Sequence, residues 1–229
     1  MTGLVRRLVS VAPGSRFEGA AGSGGELWFV IAGGGRLDAG GLRGAAVDRE
    51  AGVWVPPGSR YRLDAGQDVL LDAVALPAGP RAPEPPAVPR VSQLRDCEVE
   101  RTGDRRFRVV LGPGRGCEAA TQFVGEIPPG RAPEHSHPYD EMVLVLQGEG
   151  VAHVRDAGGD RALAPGTRLH LPPGWNTPST TSVPVPVFSR QCGRPGGRCS
   201  RVPGASARSP PASRTCATPS PWSTSTISS

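Results

Sequence analysis

The chain carries the same strand-turn-strand pattern twice, and this repeat narrows the folds open to it more than any other feature. Glu26-Leu-Trp-Phe-Val-Ile-Ala-Gly33 is followed by Val53-Trp-Val-Pro-Pro-Gly58, and Glu141-Met-Val-Leu-Val-Leu-Gln-Gly148 is followed by His170-Leu-Pro-Pro-Gly174. Pro56 comes 30 residues after Glu26, and Pro172 comes 31 residues after Glu141. A spacing held to one residue in two separate segments marks a duplicated supersecondary unit. Short Val/Leu/Ile runs closed by glycine or by Pro-Pro-Gly read as strands and hairpins. With Gly at 32 and Pro at 26 positions, little sequence remains for helix. The expected fold is all-β, as two small barrels in tandem.

Between the repeats, residues 77–90 read PAGPRAPEPPAVPR, a composition that favours an extended, semi-rigid connection. The expected organisation is a first unit over 1–78, a linker over 79–92, a second unit over 93–175 and a tail over 176–229. The tail stands apart in charge. It holds six arginines (190, 194, 198, 201, 208 and 214) and no acid. The net charge of +5 therefore resides there, and residues 1–175 balance 20 Arg against 21 acids. No basic patch remains on the part that reads as folded, so nucleic-acid binding is not expected. All basic residues are arginine, as a GC-rich gene would encode.

His135 and His137 share one face if their segment is extended, since residues i and i+2 point the same way. Glu141 follows four residues later, past Pro138, at the head of an apolar strand. Two imidazoles and one carboxylate suit one divalent ion, Fe, Mn, Ni or Zn. A chance surface His-x-His pair would not bring the glutamate, Gly148 and the downstream Pro-Pro-Gly into place with it.

The run HSHPYDEMVLVLQG, His135 to Gly148, resembles the first motif of the cupin superfamily, G(x)5HxH(x)3–4E(x)6G, with a shorter first spacer. The resemblance implies two double-stranded β-helix (jelly-roll) barrels, with His135, His137 and Glu141 as metal ligands in the second. The second motif, G(x)5PxG(x)2H(x)3N, is met by Gly166, Pro172 and Gly174, but Thr177 stands at the histidine position and Thr181 at the asparagine position. The fourth expected ligand is absent.

This loss coincides with the start of the acid-free tail, and one base restored after the Trp175 codon accounts for both. TGG-AAY-ACN-CCN then reads TGG-GAA-YAC-NCC, which permits histidine at 177 and asparagine at 181. Residues 176–229 are accordingly read as a frameshifted translation that truncates the second barrel. The alternative is a disordered basic tail.

Aligned on Glu26, the first repeat has Ala20 and Gly22 at the histidine positions and Tyr61 at the third, so it is expected to be a degenerate, structural barrel. In the second unit Gln122, Phe123, Arg131, Tyr139, His153, His170 and Trp175 are candidates to line a pocket, with His153 and His170 read as barrel-wall residues. Five cysteines without CxxC pairing read as thiols. No apolar run reaches membrane-spanning length and no secretion signal is legible, so a cytoplasmic address and no membrane partner are expected.

The resemblance implies a metal-dependent bicupin enzyme of dioxygenase, isomerase or hydrolase type acting on a small polar metabolite. The layout is similar to ureidoglycine aminohydrolase and like bicupins, without substrate-specific residues to carry over. A non-catalytic small-molecule or metal-binding module is the alternative. Cupin barrels often pair through edge strands, which leaves a homodimer open, while the sequence does not itself reveal the oligomeric state.

Overall fold

The computed structural model describes residues 4–78, 88–103, 105–127, 129–131, 138–154, 159–175, 179–181 and 185–191. The first barrel comprises β1 (Val5–Val11), β2 (Arg16–Ala20), β3 (Glu26–Ala32), β4 (Gly34–Ala39), β5 (Leu42–Asp48), β6 (Ala51–Val55), β7 (Arg60–Ala65) and β8 (Val69–Ala75). Its sheets have the orders β1-β8-β3-β6 and β2-β7-β4-β5. Next come β9 (Arg90–Gln93), a 3-10 turn at Leu94–Asp96, β10 (Glu100–Thr102) and β11 (Arg105–Leu111). The second barrel comprises β12 (Thr121–Ile127), β13 (Gly130–Arg131), β14 (Glu141–Val145), β15 (Gly150–Val154), β16 (Gly159–Leu163), β17 (Arg168–Leu171), β18 (Ser179–Thr181) and β19 (Val185–Gln191).

The second barrel's sheets, β12-β19-β14-β17 and β13-β18-β15-β16, repeat the first barrel's order strand for strand. Eight antiparallel strands wound into two facing sheets make a jelly roll, so the expected all-β pair of barrels is the fold. The repeat extends to single residue pairs. Glu26 lies opposite Val55 and Ala75, and Glu141 lies opposite Leu171 and Gln191. Both Pro-Pro-Gly turns close by the same bond, from Ser59 N to Pro56 O at 3.1 Å and from Trp175 N to Pro172 O at 3.2 Å. The motif glycines that end β3 and β14 have φ of +73° and +84° at Gly33 and Gly148. This left-handed conformation costs glycine nothing but strains most other residues.

Alternation along β3 sends its side chains to two different cores. Trp28 and Val30 enter the first barrel's interior with Val53, Tyr61 and Leu63, while Leu27 and Phe29 join Trp54, Val74, Val110, Val124 and Leu144 between the barrels. On β14, Val145 enters the second barrel with Ala152, Val154 and Leu163, while Leu144 faces the first barrel. Strands buried on both faces read as continuous apolar runs, which is why ELWFVIA and EMVLV lack a polar alternation.

Two boundaries differ from the sequence reading. Residues 90–92, expected in the linker, form β9 with Gln93 and pair with β6 at the edge of the first barrel's sheet. The second barrel runs past 175: β18 and β19 lie in the segment expected to be tail, and β19 sits between β12 and β14. The eight-strand order cannot close without a strand there. Composition concealed it, because the acid-free, Ser/Pro-rich stretch gave little sign of a central strand. Cys97 and Cys117 are buried thiols.

Candidate metal centre

Glu141 is the first residue of β14 and is 8% exposed. It lies two positions before Val143 and four before Val145, so period-2 alternation directs it toward the second barrel's interior. His135 and His137 lie outside the described residues, as does Thr177. Among the described residues no group of three His, Cys, Asp or Glu gathers into a metal-sized cluster.

The first barrel supplies a template for the geometry, because Glu26 occupies the position of Glu141 in the same register. Its carboxylate is buried and is held by two donors: Arg7 Nη2 donates to Oε2 at 2.8 Å and Trp28 Nε1 at 2.9 Å. The same Arg7 nitrogen donates to the Tyr61 hydroxyl at 2.8 Å. Tyr61 stands where the third motif histidine would, so in this barrel the glutamate and that position converge on a single cationic nitrogen. Phe17, Trp28 and Tyr61 pack around it with ring centroids 4.7–5.5 Å apart, and the guanidinium carbon lies 5.1 Å from the Phe17 centroid. Partial burial opposes the Arg7 charge, but the Tyr61 hydroxyl and the Glu26 carboxylate outweigh it and raise the pKa above its ordinary value. In this barrel a fixed guanidinium is the cation against which the glutamate is buried.

The second barrel reverses each of these choices. By register, Arg7 opposite Ala73 corresponds to Phe123 opposite Ser189, so no built-in cation stands at that position. Where the first barrel has Ala20 and Gly22, the second has His135 and His137. A Cβ at Gly22 would meet nothing within 4 Å, so the fold leaves room for a side chain at that place. The donor set of two imidazoles and one carboxylate fits a divalent ion, which would polarise a bound substrate oxygen or lower the pKa of a bound water.

Of the candidate pocket residues, Gln122 lies elsewhere, while His153 and His170 stand on the barrel wall. Gln122 is fully buried against the first barrel, where its Nε2 donates to Trp28 O at 3.0 Å. His170 lies opposite Met142, on the sheet face away from Glu141, with its Nε2 2.8 Å from Asp140 Oδ1. His153 alternates with the interior residues Ala152 and Val154 and sits 2.8 Å from Asp160 on the neighbouring strand. Both histidines are outer-wall residues, as the sequence reading has them. Trp175 packs at the border of the second barrel's core, and Phe123 pairs with Phe107 at 6.0 Å. Arg131 is backbone-paired with Thr180, and Tyr139 is partly buried beside the motif. Arg7 carried no sequence signal, since it lies 19 residues before its partner in an unremarkable strand.

Comparison with known proteins agrees with this geometry. Residues 123–179 match the family model described as the cupin domain. An IolB-like protein from Salmonella typhimurium superposes with a TM-score of 0.67 at 15% identity, over 84% of each chain. A cupin 2 conserved barrel domain protein from Leptotrichia buccalis gives 0.59 at 14% identity, over 84% of this chain and 85% of that one. Bacillus subtilis oxalate decarboxylase, described with Mn(II) centres, gives 0.65 at 13% identity, over 83% of this chain and 69% of that one. No curated protein sequence matches. Fold and site define a two-barrel jelly roll with one glutamate-headed strand in each barrel. Residues 123–179 carry a cupin domain, and the chain as a whole has the two-barrel cupin fold.

Proposed function

We propose that this protein is a bicupin whose second barrel binds one divalent metal ion through His135, His137 and Glu141, and that it is an enzyme acting on a small polar metabolite. The observation that carries the reading is the register match between Glu141 and Glu26: the first barrel's glutamate is buried against a guanidinium, and the second barrel pairs the same position with a His-x-His sequence. Fe, Mn, Ni and Zn all suit the donor set. With three protein ligands the ion keeps open positions for a bidentate substrate, which supports dioxygenase, isomerase or hydrolase chemistry. The described Mn(II) centres of the B. subtilis relative favour Mn among these metals.

Titrating the apo-protein with Mn(II) or Zn(II) tests the reading. Glu141→Gln should weaken binding by at least about 100-fold, since changing groups that merely orient a ligand already costs about 10–100-fold. Equal binding by the variant sinks the site. Tight metal without turnover of any small-metabolite candidate favours the non-catalytic module instead.

The segment after Trp175 belongs to the same proposal as a shifted reading frame. The family match stops at 179, three residues beyond Asn176. In the first barrel the third-ligand position reaches the same cation as the glutamate. Thr177→His should therefore tighten metal binding, and resequencing the gene checks the frame directly. Among the described residues no helix is long and apolar enough to cross a membrane. Val5 and Leu8 are exposed on the edge strand β1, which supports pairing of two copies, and light scattering would give a dimer mass if they pair.

A further inference from the structure

Two polar contacts between the barrels form a reciprocal pair. Arg6 Nη1, on β1 of the first barrel, donates to Val143 O on β14 at 2.7 Å. Gln122 Nε2, on β12 of the second barrel, donates to Trp28 O on β3 at 3.0 Å. The two donors occupy equivalent positions: Arg6 lies opposite Val74 next to Ala75, the partner of Glu26, and Gln122 lies opposite Arg190 next to Gln191, the partner of Glu141. The two acceptors are equivalent as well, each being the carbonyl two residues after a strand-heading glutamate. Each barrel thus holds the other's glutamate strand at one carbonyl.

The two halves are not equally strong. Arg6 is 10% exposed and makes a bidentate pair with Asp72, which is fully buried, at 2.7 and 2.8 Å. That pair fixes the guanidinium and leaves Nη1 aimed across the interface, and hydrogen bonds from charged donors are about twice as strong as neutral ones. Gln122 is neutral and its Oε1 has no partner among the described residues. The charged half of the clasp is the one that grips β14.

We propose that Arg6 is a positioning residue for the metal centre: held by Asp72, it fixes the backbone of β14 at Val143 and so sets where Glu141 presents its carboxylate. The degenerate first barrel then has a task in the second barrel's chemistry. This inference rests on Glu141 being a metal ligand.

The test uses the full chain, Mn(II) and Co(II) as probes, and the double variant Arg6→Leu/Asp72→Leu. Replacing a whole buried ion pair by apolar groups commonly preserves the fold, whereas removing one partner strands a charge. The double variant should bind both ions about tenfold more weakly, shift the Mn(II) fine-structure and Co(II) ligand-field spectra, and exchange β14 amide hydrogens faster. Gln122→Leu, which cuts the reciprocal bond onto the first barrel, should leave ion affinity and spectra unchanged. A folded double variant with wild-type affinity, spectra and β14 exchange overturns the proposal. If the wild-type chain binds neither ion, the metal reading fails and takes the positioning role with it. Accelerated β14 exchange in the double variant would then still show that the clasp holds the strand.

Discussion

Replacing Arg7 by methionine removes the cation against which Glu26 is buried, while leaving a side chain of similar reach on Phe17. Breaking a buried pair from one side costs about 3–5 kcal/mol, and because Arg7 is 44% exposed the expected loss is smaller, roughly 2–3 kcal/mol. Arg7→Met/Glu26→Gln should recover most of it, since the stranded charge is gone. Urea denaturation of the single and double variants measures both. The same comparison explains how the chain distinguishes two nearly superposable positions. Glu26 and Glu141 share register and burial, but Arg7 and Tyr61 stand beside Glu26, whereas Phe123 holds the register position of Arg7 in the second barrel. The His-x-His run was legible in the sequence because metal ligation demands particular residue types at fixed spacing. Arg7 was not, because an arginine on a strand carries no mark of which carboxylate it will meet.

At the level of elements, β6 shows how closely the two barrels approach. A Cβ added at Gly52 would lie 2.1 Å from Gln122 Oε1 and 2.6 Å from Val110 Cγ1. Only glycine lets the Gln122 side chain cross β6 to reach Trp28 O. Gly52→Ala should cost about 1–3 kcal/mol, the usual penalty for overpacking a filled core, and should lower the thermal midpoint. The element reading itself was mostly sound where strands end in strong turn signals, as at Gly33, Gly58, Gly148 and Gly174, all with positive φ. It faltered for β9, a strand preceded by prolines that pairs with a distant edge, and for β18 and β19, whose local sequence has little strand pattern. In those three the backbone partners come from elsewhere in the chain: β6 for β9, β13 and β15 for β18, and β12 and β14 for β19. Pairing energy supplied by neighbours overrides weak local propensity.

For the whole molecule, the position of β19 makes a sharp prediction about the segment after Trp175. Ending the chain at residue 178 would remove the strand between β12 and β14 and leave two open edges in the sheet that carries Glu141. Loss of a cooperative unfolding transition for the second barrel is expected, read by calorimetry, with the first barrel's transition retained. Retention of both transitions would mean that the strands beyond 175 are dispensable. The sequence by itself determined the duplication, the all-β class, the glutamate positions and the single His-x-His run, because each depends on residue type and spacing along the chain. Only the tertiary structure decided that the first barrel carries its own cation, that Gln122 serves the interface rather than a pocket, and that Arg6 reaches the strand of Glu141. These depend on which strands lie side by side: Arg6 and Val143 are 137 residues apart and meet because two sheets stack face to face. The feature that first set limits on the fold, a repeat headed by a glutamate, also turns out to be where the two barrels hold each other.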